Sequence, residues 1–512
     1  MAAGEMVELT AASGDIDTID QLAMFEAWQR AFIINGEKLK IADFGTIKLS
    51  HSALSKPHAK GDLLTQNQGN GNYAYMVVDY TNPDKTETYG YAYYAGEAEA
   101  FDTSHSVNGS GEGSSFTPTA VTNPPHWYDY TATKGELPPK AYLGCLYNGR
   151  IVLAGNPAEP TQFYMSRQGD AFDYQYMSND PGTPVKGGQG DIGKLGDIIR
   201  ALAPYKDEYL ILGCASTMWV LFGDPAAGGA IRELSLTTGI FGSGAFCWDD
   251  TNHFYWWGNG GLYRTTVPGT PVCISRIKLP QLVKDEAASP MTHRILMAYD
   301  RDRHGILVTI TKLDDGSNSN YWYDLAVLDD HGVGGFYPEV YPKEYSAYSL
   351  LYYDSNTPSL RGLLVGGMDS YIRTFDDAAK NDSTGGASHA IESYVCVGPI
   401  HMSGSARHEG MLNGLDITCA GGLDGGSQAD SGDITFKVFT SRTAENVLEQ
   451  MSANDNPVFA GVFKGPGARR GSTRRQTARG EFLGIRLQNT ALDETWAFED
   501  MSVNLKASGR VK

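Results

Sequence analysis

Carboxylates in turns are the residues of this chain best suited by type to catalysis. Asp249-Asp250, Asp314-Asp315, Asp329-Asp330 and Asp376-Asp377 are adjacent pairs. Two carboxylates can share acid and base work only when both face one space. Neighbours on a strand face opposite sides, so these pairs read as turn residues bonding their own backbone. Asp300, Asp302 and Gly305 begin like a calcium loop, but His304 stands at position five and Thr311 where a bidentate carboxylate belongs. Gly239, Gly242 and Gly244 miss the dinucleotide spacing and lead into a strand pattern. The eleven histidines are scattered, and no HExxH, GxSxG or P-loop occurs. Asp170, Asp224 and Asp369 occupy comparable turns and are the candidates a hydrolase would need. The reading is that the chain is not an enzyme, with no catalytic residues, no metal ligands and no cofactor.

Two other groups suggest contacts rather than catalysis. Residues 464–480 carry Lys464, Arg469, Arg470, Arg474, Arg475 and Arg479 without an acid, while the whole chain has a net charge of −19. Such a run is either a solvated loop or a loop docking on an acidic neighbour or on DNA phosphates. The acidic remainder opposes DNA, so Arg469, Arg470, Arg474, Arg475 and Arg479 are candidate subunit or adaptor contacts. Near the start, Ile19, Leu22, Ala23, Phe25, Ala27 and Phe32 recur at spacings of three and four. With Thr18 and Gln21 as a capping box and Asn35-Gly36 as a stop, the spacing predicts a helix over 18–34. Met24, Trp28 and Ile33 widen its apolar face, making it either a packing helix or an interface helix.

The elements around these residues are mostly strands. A length of 512 predicts two to four domains. Sixty glycines and 29 tyrosines point to short strands and tight turns, against disorder and against an all-helical fold. The six cysteines sit in apolar strings without a CxxC and read as buried free thiols. No signal peptide is expected, and the longest uncharged apolar stretch, 209–223, is too short to span a bilayer. A protein made in a reducing cytoplasm fits these features.

From 139 to 378, hairpins recur, the clearest turning at Asn148-Gly149. Asp170 and Asp224 stand 54 residues apart, close to one four-stranded blade of roughly 40–50 residues. The expected fold is mainly β: a central β-propeller-like domain at 139–378, favoured over a sandwich, with five or six blades. A smaller N-terminal α+β region precedes it, with helix and strand at 1–50. Residues 51–138 form a β-rich region with a long loop or insertion, and 391–512 a C-terminal β-sandwich-like domain carrying the Arg-rich loop.

Several strings are similar to one family. NGRIVLAGNPAEPTQFYMSRQGDAFDY (148–174) resembles the start of the propeller in tail hub or nozzle proteins of short-tailed bacteriophages, also called tail tubular or head-to-tail stabilisation proteins. YLILGCASTMWVLFGDP (209–225) resembles the next blade, and LTTGIFGSGAF with GNGGLYRTT (236–266) the one after. The N-terminal GEKLKIADFGTIKL and the end RQTARGEFLGIRLQNT…AFEDMSVNLKASGRVK also resemble the family; 51–135 has no match to it. The resemblance implies a structural virion protein of the tail, six copies around its axis, attached to a head-to-tail adaptor ring. It implies further contacts with tail fibre or other tail proteins, and a distal channel that passes the genome at ejection without binding it specifically. An acidic lumen is compatible with that passage. The alternative is a β-propeller that binds a receptor or glycan. The aromatic runs 253–257 and 321–323 motivate it, although blade cores explain their alternation better.

Overall fold

The computed structural model describes residues 9, 14–18, 21–93, 99–177, 180–187, 195–375, 379–384, 387–404, 408–421, 430–471 and 478–510. Strands dominate, and the chain divides into two compact units, 1–374 and 375–512.

Six of the first unit's sheets are antiparallel blades that follow one another in chain order. Blade one is Ala23–Ala27, Arg30–Asn35, Lys38–Asp43 and His126–Asp129, and blade two is Leu143–Tyr147, Arg150–Ala154, Phe163–Met165 and Val185–Lys186. Blade three is Ile199–Tyr205, Tyr209–Cys214, Met218–Phe222 and Ala230–Ser235, and blade four is Phe246–Trp248, Phe254–Gly258, Gly261–Thr265 and Val272–Cys273. Blade five is His293–Asp300, Gly305–Lys312, Asn318–Asp324 and Gly335–Glu339. Blade six has three strands, Ala347–Tyr353, Gly362–Gly367 and Ile372–Thr374. Residues from the first strand of every blade line one cavity, so these strands surround a common axis and the unit is a β-propeller. Crowding at the axis explains two glycines. A Cβ on Gly144 would lie 2.6 Å from a Phe25 ring carbon, and one on Gly244 2.4 Å from Leu296 Cδ2.

The helix expected over 18–34 is not formed; a hairpin stands in its place and supplies the first blade. Trp28 and Gln29 take left-handed φ values of 50° and 61°, the signature of a two-residue turn usually built from Asn and Gly. Tertiary bonds hold this turn: Phe44 N donates to Gln29 O at 3.0 Å, and Tyr91 Oη to Trp28 O at 3.3 Å. The propeller therefore begins before residue 139, and its first blade reaches back to Ala23.

Between the third and fourth strands of blade one the chain inserts a six-stranded sheet. Its order is Val107–Gly109, Leu63–Gly69, Asn72–Thr81, Glu87–Ala92, Ile47–Ser50 and Ala120–Thr122. The strands Asn72–Thr81 and Glu87–Ala92 turn at Asn82-Pro83-Asp84, where Asn82 Oδ1 accepts from Thr86 N and Glu87 N. The polar stretch 51–70 contributes the strand Leu63–Gly69. Leu49, Leu64, Met76, Val78 and Val107 form the core of this sheet.

In the second unit two sheets enclose one core, as in a sandwich. One sheet is ordered Ser393–His401, Phe482–Asn489, Ile434–Ser441, Phe459–Phe463; the other centres on His408–Cys419, paired with Gly467–Gly471, Arg479–Gly480 and Phe498–Arg510. Leu415, Ile417, Val438, Ile485 and Leu487 are buried in that core. A helix runs Ala444–Ala453, capped by Thr443 Oγ1 accepting from Asn446 N. Its Val447 and Met451 pack on Phe439. All six cysteines are free; Cys145, Cys214, Cys247 and Cys419 are buried, Cys273 is half-buried and Cys396 is exposed.

Candidate functional site

The propeller has an axial cavity of about 740 Å³, lined by apolar, aromatic, hydroxyl, imidazole and guanidinium groups. Strand starts deliver its wall: Met24 from blade one, Tyr142 just before blade two, Ile198 and Arg200 from blade three, Ser243 before blade four, His293 and Arg294 from blade five, Tyr348 from blade six. Phe246 and Trp248, alternate residues of the blade four strand, continue the wall with rings 6.2 Å apart. Among the described residues the wall carries two guanidinium groups and no carboxylate. Arg294 lies over the Tyr348 ring at 3.8 Å and donates to Tyr348 O at 3.0 Å. Arg200 has neither an ion pair nor a hydrogen bond from its side chain within the described structure. His293 Nδ1 accepts from Ser289 N at 3.3 Å and meets Thr292 Oγ1 at 2.8 Å, which leaves Nε2 as the ring's donor. Nothing in the sequence singled out Arg200, Arg294 or His293; the signal was their recurrence at the start of an inner strand, legible only once the blades are aligned.

Each turn aspartate is paired with a cation, and Asp224 ties two blades together. Asp224 pairs with Arg150, a residue with no exposed surface, at 3.0 Å and accepts from Ala226 N. The same guanidinium donates to the carbonyls of Ser166, Pro181, Gly182 and Thr183. Asp170 belongs to a buried network at the inserted sheet. Lys60 bridges it at 3.6 Å to Asp79 at 2.8 Å, and Arg30 binds Asp79 at 2.6 Å and Asp43 at 2.7 Å. Burial opposes the Arg30 charge, but Tyr128, Asp79 and Asp43 outweigh it and raise its pKa. Burial raises the pKa of Asp170 itself, with Lys60 pulling the other way. Asp369 pairs with Arg373, and that bond lowers its pKa. The three aspartates thus lie in separate blades, each with its own cation. The aromatic run 253–257 is core: Phe254, Tyr255, Trp256 and Trp257 are all buried, as is Tyr323.

The Arg-rich run is partly spent on its own domain. Arg469 is exposed and turns back onto the carbonyls of Lys464, Pro466 and Ala468. Arg479 pairs with Glu409 at 2.7 Å, and Lys464 with Asp433 at 2.5 Å. Arg470 lies on the strand Gly467–Gly471 opposite Asp416. Arg474 and Arg475 lie outside the described residues. Met24, Trp28 and Ile33 do not share a helix face. Met24 and Ile33 are cross-strand partners, Met24 exposed and Ile33 buried, and Trp28 sits in the turn.

No protein-family model and no curated protein sequence matches the chain. Among solved structures it is similar to a quinoprotein alcohol dehydrogenase-like protein from Bacteroides thetaiotaomicron, at 11% identity and a TM-score of 0.28. That match covers 60% of this chain and 64% of the other, so the chain spans somewhat under two thirds of that protein's length. It is also similar to a 6-phosphogluconolactonase, so described provisionally, from Bacteroides uniformis, at 9% identity and a TM-score of 0.28, covering 65% of this chain and 92% of that one. Likenesses this distant carry no argument about activity.

Proposed function

We propose that the chain is a structural protein of a short-tailed phage virion, a tail nozzle or hub that assembles as a homohexamer below a head-to-tail adaptor ring. Its strings resembling that family fall in order on consecutive blades: 148–174 on blade two, 209–225 on blade three, 236–266 from the end of blade three through blade four. The observation that carries an assembly role is the apolar surface of the last two blades. Val327, Val340, Leu351, Leu360, Tyr371 and Ile372 are each at least 59% exposed. Large apolar side chains left in solvent along these two blades and their loops favour a protein partner. In this reading the genome passes between subunits at the six-fold axis, not along the propeller's own axis. Other tail proteins, tail fibres among them, contact the outer surface, and the chain catalyses no reaction. Electron microscopy of purified virions should place a six-fold ring of this chain on the tail axis. A chain that is monomeric and absent from the tail overturns the proposal.

One observation favours a second reading, a receptor- or glycan-binding propeller: the axial cavity is open, and Trp248 in its wall is 43% exposed. A glycan screen with no hit removes it.

A further inference from the structure

We propose that the axial cavity binds an acidic sugar, with Arg200 and Arg294 holding its oxyanion and the wall beyond them taking the sugar ring. This deepens the ligand-binding reading and is independent of tail assembly, since a binding measurement on the isolated protein and an image of the virion can fail separately.

The first argument is charge. The chain carries −19 overall, yet the described wall of this cavity has two arginines and no carboxylate. Arginine stays protonated and presents paired donors that fit carboxylate or phosphate oxygens. A guanidinium normally finds an acid in so acidic a protein, as Arg150, Arg373 and Arg479 do. Arg200 has no such partner within the described structure, and it lines the space a ligand would enter. Arg294 is held against Tyr348 with one nitrogen bonded to a carbonyl, which fixes its direction and limits the entropy lost on binding.

The second argument is the rest of the wall. A volume of about 740 Å³ suits a small ligand or a short saccharide. Phe246 and Trp248 offer flat apolar surface, which suits the C–H face of a sugar ring. Neutral hydrogen-bonding groups accompany them. Gln21 Nε2 donates to Ser243 Oγ across the opening, Ser349 lines the wall, and His293 keeps Nε2 as a donor. An aliphatic acid would leave Ser349 and His293 Nε2 unpaired when it displaced water, which costs affinity. A hydroxylated ring would satisfy them.

Isothermal titration of the full chain with glucuronate, N-acetylneuraminate, glucose 6-phosphate and glucose tests this. Saturable binding of at least one acidic sugar is expected, with glucose about tenfold weaker or more, the ratio set by one charge-assisted hydrogen bond. Comparing the two carboxylates with the phosphate tells which oxyanion the arginines accept. Arg200→Gln should lose about tenfold in affinity at an unchanged melting temperature, because its side chain has no partner to forfeit. Arg232→Gln, on the outer strand of blade three, should bind as the parent does. Raising the salt concentration should weaken binding to the unmodified chain, a readout that needs no variant. No saturation with any acidic sugar, equal affinity for glucose and glucuronate, salt-independent binding, or undiminished binding by Arg200→Gln overturns the proposal.

Discussion

Between blades two and three the propeller is closed by a buried ion pair above an apolar core, whereas blade six leaves much of its apolar surface in solvent. At the first junction Arg150 reaches Asp224, and Leu143, Val152, Leu202, Leu210 and Leu212 pack beneath. At blade six the apolar core shared with blade five is a small cluster of Ala298, Leu307 and Leu363. Blade six also has three strands where the others have four, so Ile372–Thr374 is an unpaired edge among the described residues. Thr18 lines a small cavity with Tyr348, Gly366 and Tyr371, which brings the segment entering blade one beside blade six. The ring is thus locked by buried polar groups in its first half and is leanest in apolar core where it closes. Buried polar locking and exposed apolar surface are thus separated along one ring.

Arg150→Leu should break the comparison most strongly. It leaves Asp224 without its cation and strips donors from four carbonyls, a class of change that costs about 3–5 kcal/mol. Urea unfolding followed by intrinsic fluorescence measures it. A loss below about 1 kcal/mol, the scale of an exposed pair, would mean that this junction is not locked by its ion pair.

Acid should act next, and locally. Burial lowers the pKa of His51, His58 and His126, all at the inserted sheet or the blade it joins. In the unfolded chain these rings take up protons near the ordinary histidine pKa of about 6.5, whereas in the folded chain they do so only at lower pH. Unfolding therefore binds protons as pH falls through and below that value, and stability drops with it. Hydrogen exchange at pH 5.5 against pH 7.5, read as about one unit on either side of an ordinary histidine, should show residues 47–122 opening before blades three to five. Uniform opening would mean that the sheet is not a separate acid-sensitive unit.

Much of this architecture was legible where a local signal coincided with the tertiary one. Asn148-Gly149 adopts φ values of 47° and 69°, so the turn residues named their hairpin. Asp224 read as a turn residue and is one, but its partner Arg150 lies 74 positions away and left no mark in the pattern. Trp28-Gln29 shows the opposite case. Neither residue favours a left-handed turn, and Phe25, Phe32 and Ile33 fit a helical period as well as a strand pairing. The bonds that decide between them come from Phe44 and Tyr91, outside the window in which periodicity is read. The axial cavity was illegible for the same reason, because each blade contributes only a few residues to it.

Arg373→Ala should cost no more than about 1 kcal/mol, since its pair with Asp369 is part-exposed. Its ring contact with Tyr345 at 3.9 Å adds a little and does not change the order. The contrast with Arg150 is the measurement: the same pair of residue types, at two places in one ring, should differ severalfold in urea unfolding.

The smallest effect on the isolated chain is expected from Leu351→Ser, Tyr371→Ser and Ile372→Ser together. These side chains are 60–70% exposed, so replacing them removes little buried surface, and the three together should stay within about 0.5 kcal/mol in the monomer. If the face binds a second copy, the same variant should lose oligomer in light scattering while unfolding as the parent does. A large loss of monomer stability would instead show that blade six is packed within its own chain, and the asymmetry of the ring would disappear. An unchanged oligomer with unchanged stability would move the assembly contact elsewhere, with the Arg469 and Arg470 strand the next surface to test.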